Sequence, residues 1–291
     1  MAVRATVEAL LRERKLDRTL TSAIPERLGE DAVSPLDVEA LDRSLAGLAG
    51  PQDKRAGLAG PQDKKVAGGL PRGQVSEVVG PASSGRTGLV WAALAAATRR
   101  GETVALIDTF DRFDPPTAAA SVLVLPRLLW VRGQAVSKTA VAIDPAWLPG
   151  VRAVNGPGTF VERVIDRAIK SLNLVVQSGV CTLVAIDLID VPAQALRRLP
   201  ASTWFRIERA IDGSDTAVVI LAAQPVARSS GGRSIVMGGD SRLPAPVWKG
   251  EHDRTRRLGG VRSGAAVSAA RWSHAQQVPV VTRFTHVEAG L

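Results

Sequence analysis

The sequence predicts an α/β fold: a buried, mainly parallel sheet bearing a phosphate-binding loop, preceded by a helical arm and followed by a basic, β-rich extension. Three observations predict it. Apolar runs of strand length alternate with helix-length segments from residue 73 to 225, the pattern of a sheet covered on both faces. A glycine-rich string sits between the first apolar run and the helix that follows it. After Gln224 the alternation stops, and short β-like pieces separated by glycine-rich turns take over.

Residues 1–45 read as a helical arm. Val7, Leu10, Leu11 and Leu16 recur at near-helical spacing, and a second helix is expected to open at Ser34-Pro35, an N-cap and first-turn proline, carrying Val38, Leu41 and Leu45. Residues 46–72 read as a linker. A ten-residue tandem repeat, Ala46 to Arg55 and Ala56 to Lys65, is too short for a solenoid, and each copy contains Gly and Pro.

The core spans 73–225. Strands are expected at Val75–Val79, Thr103–Ile107, Leu128–Val131, Thr182–Ile186 and Thr216–Leu221, with helices at 85–99 and 159–178 and helical turns over 193–211. Residues 226–291 form the extension, with β-like pieces at Ser234–Met237, Val247–Lys249, Ala265–Trp272 and Val278–Phe284.

Composition narrows the function classes. The 291 residues are 45% hydrophobic, enough for a real core, and carry a net charge of +9 with a pI near 10.7. Residues 225–291 hold ten Lys and Arg against four Asp and Glu, so most of the excess lies there. Such a balance favours a polyanionic partner. A single cysteine, Cys181, excludes an intrachain disulfide and a Cys-built zinc site. The beginning of the chain is too densely charged for a secretory signal and no apolar run is long enough to span a bilayer, so a soluble cytoplasmic protein with no membrane partner is expected.

The segment with the most chemistry is Gly80-Pro-Ala-Ser83-Ser84-Gly85-Arg86-Thr87. Glycines let backbone N–H groups converge on a polyphosphate at a helix N-terminus. Thr87 is placed to reach a magnesium ion. The lysine usual before that hydroxyl is Arg86 here, and a planar guanidinium is a poor substitute for a compact ammonium at a tight phosphate site. Leu183 to Asp187 is an apolar strand ending in carboxylate, as expected of a Walker B aspartate that orients Mg and its water. ATP and Mg are the cofactors this pair of motifs implies.

Gly80 to Thr87 resembles the phosphate loop of RecA recombinases, including its Pro and paired Ser. Val104-Ala-Leu-Ile-Asp-Thr-Phe110-Asp-Arg-Phe-Asp-Pro115 resembles the strand and loop in which RecA carries its catalytic glutamate; the matching position is Phe110, which cannot activate water. The resemblance gives Gln224, at the end of Val218 to Gln224, the role of a nucleotide-sensing glutamine. Gly69 to Gly73 and Leu199 to Arg206 look more like the RecA-related mutagenesis proteins called ImuA.

That likeness implies a RecA-like core in a factor of the SOS response, supporting translesion synthesis and mutagenesis with weak or absent ATPase activity. Its implied partners are an ImuB-like Y-family polymerase homologue, an error-prone replicative-type polymerase, RecA and single-stranded DNA. An active DNA-dependent ATPase and a damage-response cell-division inhibitor are the alternatives. Arg254, Arg256 and Arg257 are the candidate DNA contacts, with a solvated basic turn as the other reading.

Overall fold

The computed structural model describes residues 33–48, 68–120, 122–133, 160–227, 232–238, 245–250, 252, 256–268, 276–283 and 287–289. The helix expected in the first sixteen residues, most of the tandem repeat and Arg254 lie outside them.

Six parallel strands make the core of the sheet. They are β3 (Val75–Val79), β4 (Val104–Asp108), β5 (Leu128–Arg132), β6 (Leu183–Asp187), β7 (Ala217–Ala222) and β8 (Ser234–Met237), in the spatial order β5-β4-β6-β7-β3-β8. Strands β3, β4 and β7 are buried throughout, which is why β4 and β7 are apolar runs rather than alternating ones, while β3 carries the buried Ser76 and Glu77. Of the five expected core strands, β3 has the expected bounds, β4, β6 and β7 begin and end one residue later, and β5 extends one residue further.

Two apolar layers cover the faces. One gathers around helix α2 (Arg86–Arg99), with Leu89, Ala93 and Leu94 against Val78, Leu106 and Val219. The other gathers around α4 (Phe160–Ser178) and α6 (Ala201–Ile211), with Ile165, Leu172, Trp204 and Ile207 against Ile107, Ile186 and Ile220. Two short helices, α3 (Pro115–Ala120) and α5 (Ala193–Arg198), lie in the connections.

The extension continues the sheet in antiparallel fashion. Strand β10 (Arg257–Ser268) pairs with β8 through Ala265–Ser268, and β11 (Gln276–Arg283) and β12 (Val287–Ala289) follow outward. Strand β9 (Ala245–Lys249) pairs with β10 alone, over Arg257–Arg262. The strand expected at Ala265 thus begins eight residues earlier, at Arg257, because cross-strand pairing with β9 overrides the low strand propensity of Gly259, Gly260 and Gly264.

The N-terminal segment departs from the expected helix start. Ser34 is not a helix cap: β1 (Val33–Ser34) pairs with β2 (Leu70–Pro71), and α1 runs over Glu39–Gly47 with Val38 at its N-cap. The intervening turn is held by the Asp42 carboxylate, which accepts the Leu36 N–H at 2.9 Å. Leu36, Val38, Leu41 and Leu45 are buried in the α2-side layer, so this part of the arm is core. Arg72 anchors the β2 end, pairing with Glu102 at 3.1 Å and Asp215 at 2.8 Å.

Candidate functional site

The candidate site lies where β3, β4, β6 and β7 end. Gly80 to Gly85 leaves β3 and enters α2, whose N-cap is Gly85 in the left-handed region at φ 89°. Ser83 is also left-handed, at φ 60°. These two reversals curl the loop tightly, the geometry in which successive N–H groups face one concavity. Strand β8 and the extension form its back wall. A Cβ on Gly80 would lie 2.5 Å from the Met237 carbonyl oxygen, and one on Gly238 would touch Pro81 and Ser84. Ser263 on β10 donates to the Ser84 carbonyl at 3.1 Å. Met237, Gly238 and Ser263 are site residues that local sequence patterns do not reveal, because their role depends on strand register.

Within the loop, the Ser84 hydroxyl is buried with no hydrogen-bond partner among the described residues. A buried orphan hydroxyl is costly, and a phosphate oxygen would satisfy it. Arg86 is only 8% exposed and turns back to donate from Nη1 to the Gly80 carbonyl. Burial pulls its pKa down, while Asp187 and Asp190 pull it up. Thr87 follows on the first turn of α2 and is partly exposed.

Asp187 closes β6, in register with Asp108 on β4. Its Oδ1 accepts the Ile189 N–H at 2.9 Å. Burial pushes its pKa up to about 6, helped by Asp108 and Asp190 and opposed by the Ile189 hydrogen bond and Arg86. The phosphate loop and Asp187 therefore lie at the same end of the parallel sheet, on β3 and β6, with β7 between them rather than on adjacent strands.

Phe110 packs against the α4-side apolar layer. The carboxylates flanking it are engaged elsewhere. Asp108 accepts the Arg112 N–H at 2.8 Å, the Phe113 N–H at 2.9 Å and the Trp130 indole N–H at 3.1 Å. Asp111 holds Arg132 through two bonds of 2.7 and 2.6 Å. Arg132 in turn lies 4.3 Å above the Trp130 ring, and Phe113 is wedged edge-on between Trp91 and Trp130, at 5.6 and 5.1 Å. Asp190 accepts from Arg112 Nε at 2.8 Å.

Gln224 is exposed beyond β7 and lines a cleft of about 470 Å³ with Arg197, Leu199 and Trp204. The chain beyond it is gripped by Glu77, whose Oε2 accepts the N–H groups of Val226 and Ala227 at 2.9 and 3.1 Å. Arg256 and Arg257 belong to the β9–β10 ribbon, where Arg256 lies 5.0 Å over the exposed Trp248 ring.

Thr87 and Asp187 are the oxygen donors a magnesium ion would use. Asp187 is held partly protonated by burial and by the Asp108 and Asp190 carboxylates, and the buried Arg86 guanidinium only partly offsets them. Among the described residues no three His, Cys, Asp or Glu side chains gather as a metal site. The cradle itself suits a polyphosphate; the donor set suits a divalent ion poorly.

Residues 57–136 match the model of the RecA N-terminal domain, a stretch that includes the phosphate loop and Phe110 and stops before Asp187. RecA of Chlorobaculum tepidum is 51% identical over 51 residues, 18% of this chain and 15% of that protein. RecA of Treponema pallidum is 29% identical over 141 residues, 41% and 34% of the two chains. The chain thus spans between 15% and 34% of the length of these curated relatives. The structure of the RadB recombinase superposes with a TM-score of 0.52 at 17% identity, covering 89% of this chain and 100% of that one. The fold is a RecA-like core: a mixed α/β unit with a mainly parallel central sheet. No helix among the described residues is long and apolar enough to cross a membrane.

Proposed function

We propose that this RecA-like chain is an accessory factor in DNA-damage-induced translesion synthesis and mutagenesis, binding a nucleoside triphosphate without turning it over efficiently. The observation that carries the reading is the engagement of both carboxylates that flank Phe110, Asp108 and Asp111. Phosphoryl transfer to water depends on a base or orienting group beside the attacking water. At Phe110 the side chain is apolar and half-buried against the α4-side layer. Asp108 is spent on three hydrogen bonds and Asp111 on a bidentate arginine pair. Either would have to break these contacts and shift to act, and a displacement of about an ångström already costs on the order of a hundredfold in rate.

The chain's own groups nonetheless suit binding. The curled loop and the Ser84 hydroxyl hold phosphate, Arg86 supplies charge, and Gln224 stands at the chain exit that Glu77 clamps to β3. A held nucleotide then acts as a structural ligand for the 224–227 segment. The ImuA-like strings at Gly69 to Gly73 and Leu199 to Arg206 support partnership with an ImuB-like Y-family polymerase homologue and an error-prone replicative-type polymerase. The basic ribbon around Trp248, Arg256 and Arg257 supports contact with single-stranded DNA.

The test is steady-state phosphate release on single-stranded DNA, alone and with the polymerase partners. The native chain is expected to stay at background, and an Arg86→Lys, Phe110→Glu double variant to rise above it. Brisk native turnover abolished by Asp187→Ala would restore the active-ATPase reading. No association with the polymerase partners would remove the accessory role.

A further inference from the structure

Arg86 does more than replace a lysine. A lysine at this position would be a mobile point charge on a flexible stem, free to follow the terminal phosphates. The Arg86 side chain is instead buried, and tied by Nη1 to the carbonyl of Gly80, the residue that opens the loop. That anchor spends one of five N–H donors, and a guanidinium offers the rest in a planar fork suited to two phosphate oxygens at once.

The acidic side of the site is arranged to match. Asp187 has Asp108 in register beside it and Asp190 three residues on. In many metal sites such neighbours would share a divalent ion. Here Asp108 is occupied by Arg112, Phe113 and Trp130, and Asp190 by Arg112. Asp187 makes its own bond to the Ile189 N–H, and the buried cation of the loop is Arg86, held on the Gly80 carbonyl. A dication at the phosphate loop would meet in Arg86 a like charge fixed by its own hydrogen bond, in a partly desolvated place where such repulsion is poorly screened.

We infer that Arg86 is the resident counter-cation of this site, so that the phosphate loop binds the terminal phosphates of a nucleoside triphosphate without requiring a divalent metal. This rests on the reading of Gly80 to Thr87 as a nucleotide site. It goes further by assigning to a side chain the charge that magnesium would otherwise bring.

The experiment is equilibrium binding of ATP to the full chain by calorimetry, in excess magnesium and in excess EDTA. The native chain is expected to bind with dissociation constants within about threefold of each other, a difference under 1 kcal/mol. Arg86→Lys, which removes the anchored fork, is expected to bind at least about tenfold more tightly with magnesium than without. Native binding that weakens tenfold or more in EDTA overturns the inference. So does an Arg86→Lys chain as indifferent to magnesium as the native one. Should that variant fail to fold, Thr87→Ala decides: it is expected to weaken binding equally in both conditions, and a loss confined to the magnesium arm overturns the proposal. Absence of ATP binding in both conditions overturns the nucleotide site as well as this inference. Magnesium-dependent binding without turnover overturns this inference alone.

Discussion

Glu77 and Val226 are joined through the middle of the molecule: the Glu77 carboxylate accepts the Val226 N–H at 2.9 Å. The same oxygen takes the Ala227 N–H, and the other takes the Ser234 hydroxyl at 3.0 Å. Glu77 lies three residues before Gly80 on the strand that delivers the phosphate loop. One buried side chain thus ties that strand to the chain leaving Gln224 and to the start of β8. Glu77→Ala should strand three donors and destabilise the fold by about 2–4 kcal/mol, with Glu77→Gln costing less because it keeps an acceptor. Urea denaturation of the two variants checks the ranking.

Gly80→Ala and Gly238→Ala should separate two kinds of glycine requirement. A methyl at Gly80 would collide with the Met237 carbonyl, which belongs to a paired strand and cannot step aside. At Gly238 the nearest atoms stand at ordinary contact distance, and only the left-handed φ of 74° opposes a side chain. The expected cost is about 1 kcal/mol at Gly238 and at least twice that at Gly80, where nucleotide binding should also be lost. Thermal unfolding and ATP calorimetry together decide this.

Asp42 should make stability depend on pH. Burial pushes its pKa up to about 6, above the usual carboxylate range, despite the hydrogen bond from Leu36. The folded state therefore holds the proton more tightly than the unfolded state. Its contribution to stability is full below about pH 4 and is lost as pH rises through about 6. Asp42→Asn keeps an oxygen for the Leu36 N–H and removes the charge. At pH 7.5 that variant should be more stable than the native chain by on the order of 1–2 kcal/mol, with the difference vanishing near pH 4. Denaturant midpoints at the two pH values measure it.

Binding to single-stranded DNA should be salt-dependent and should run through the β9–β10 ribbon. Removing Arg256 and Arg257 together is expected to reduce the slope of log affinity against log salt by roughly one to two. Trp248→Ala should weaken binding roughly fivefold or more at every salt concentration, since a stacked base loses its platform. Fluorescence anisotropy with a labelled oligonucleotide separates the two effects. Affinity that ignores salt would remove the ribbon from the DNA surface.

What could be read from the chain alone follows the range of the forces involved. Strands β4, β6 and β7 are legible because burial on both faces demands uninterrupted apolar runs such as Leu183 to Ile186, and the loop after β3 is legible because its backbone demands glycine at fixed spacing. Ser34-Pro35 misleads for the opposite reason: its local capping signal is real, but Ser34 pairs with Leu70, far along the chain. The rear of the phosphate loop escapes notice likewise. Ser263 reaches Ser84 only because β10 pairs with β8 at one register, and no short window of sequence encodes register between distant strands. Phe110 is legible as a departure from a motif, whereas the engagement of Asp108 by Trp130 is visible only in three dimensions.

The stack of Trp91, Phe113 and Trp130 capped by Arg132 has an optical consequence. With six tryptophans and no tyrosine, the chain's ultraviolet emission is tryptophan light alone. Trp130 sits between a guanidinium and the carboxylate of Asp108, and Phe113 belongs to the loop that carries Phe110. Movement of that loop changes the field and the quenching felt by Trp130. The unlabelled native protein therefore carries its own spectroscopic gauge of the segment where a catalytic carboxylate would otherwise stand.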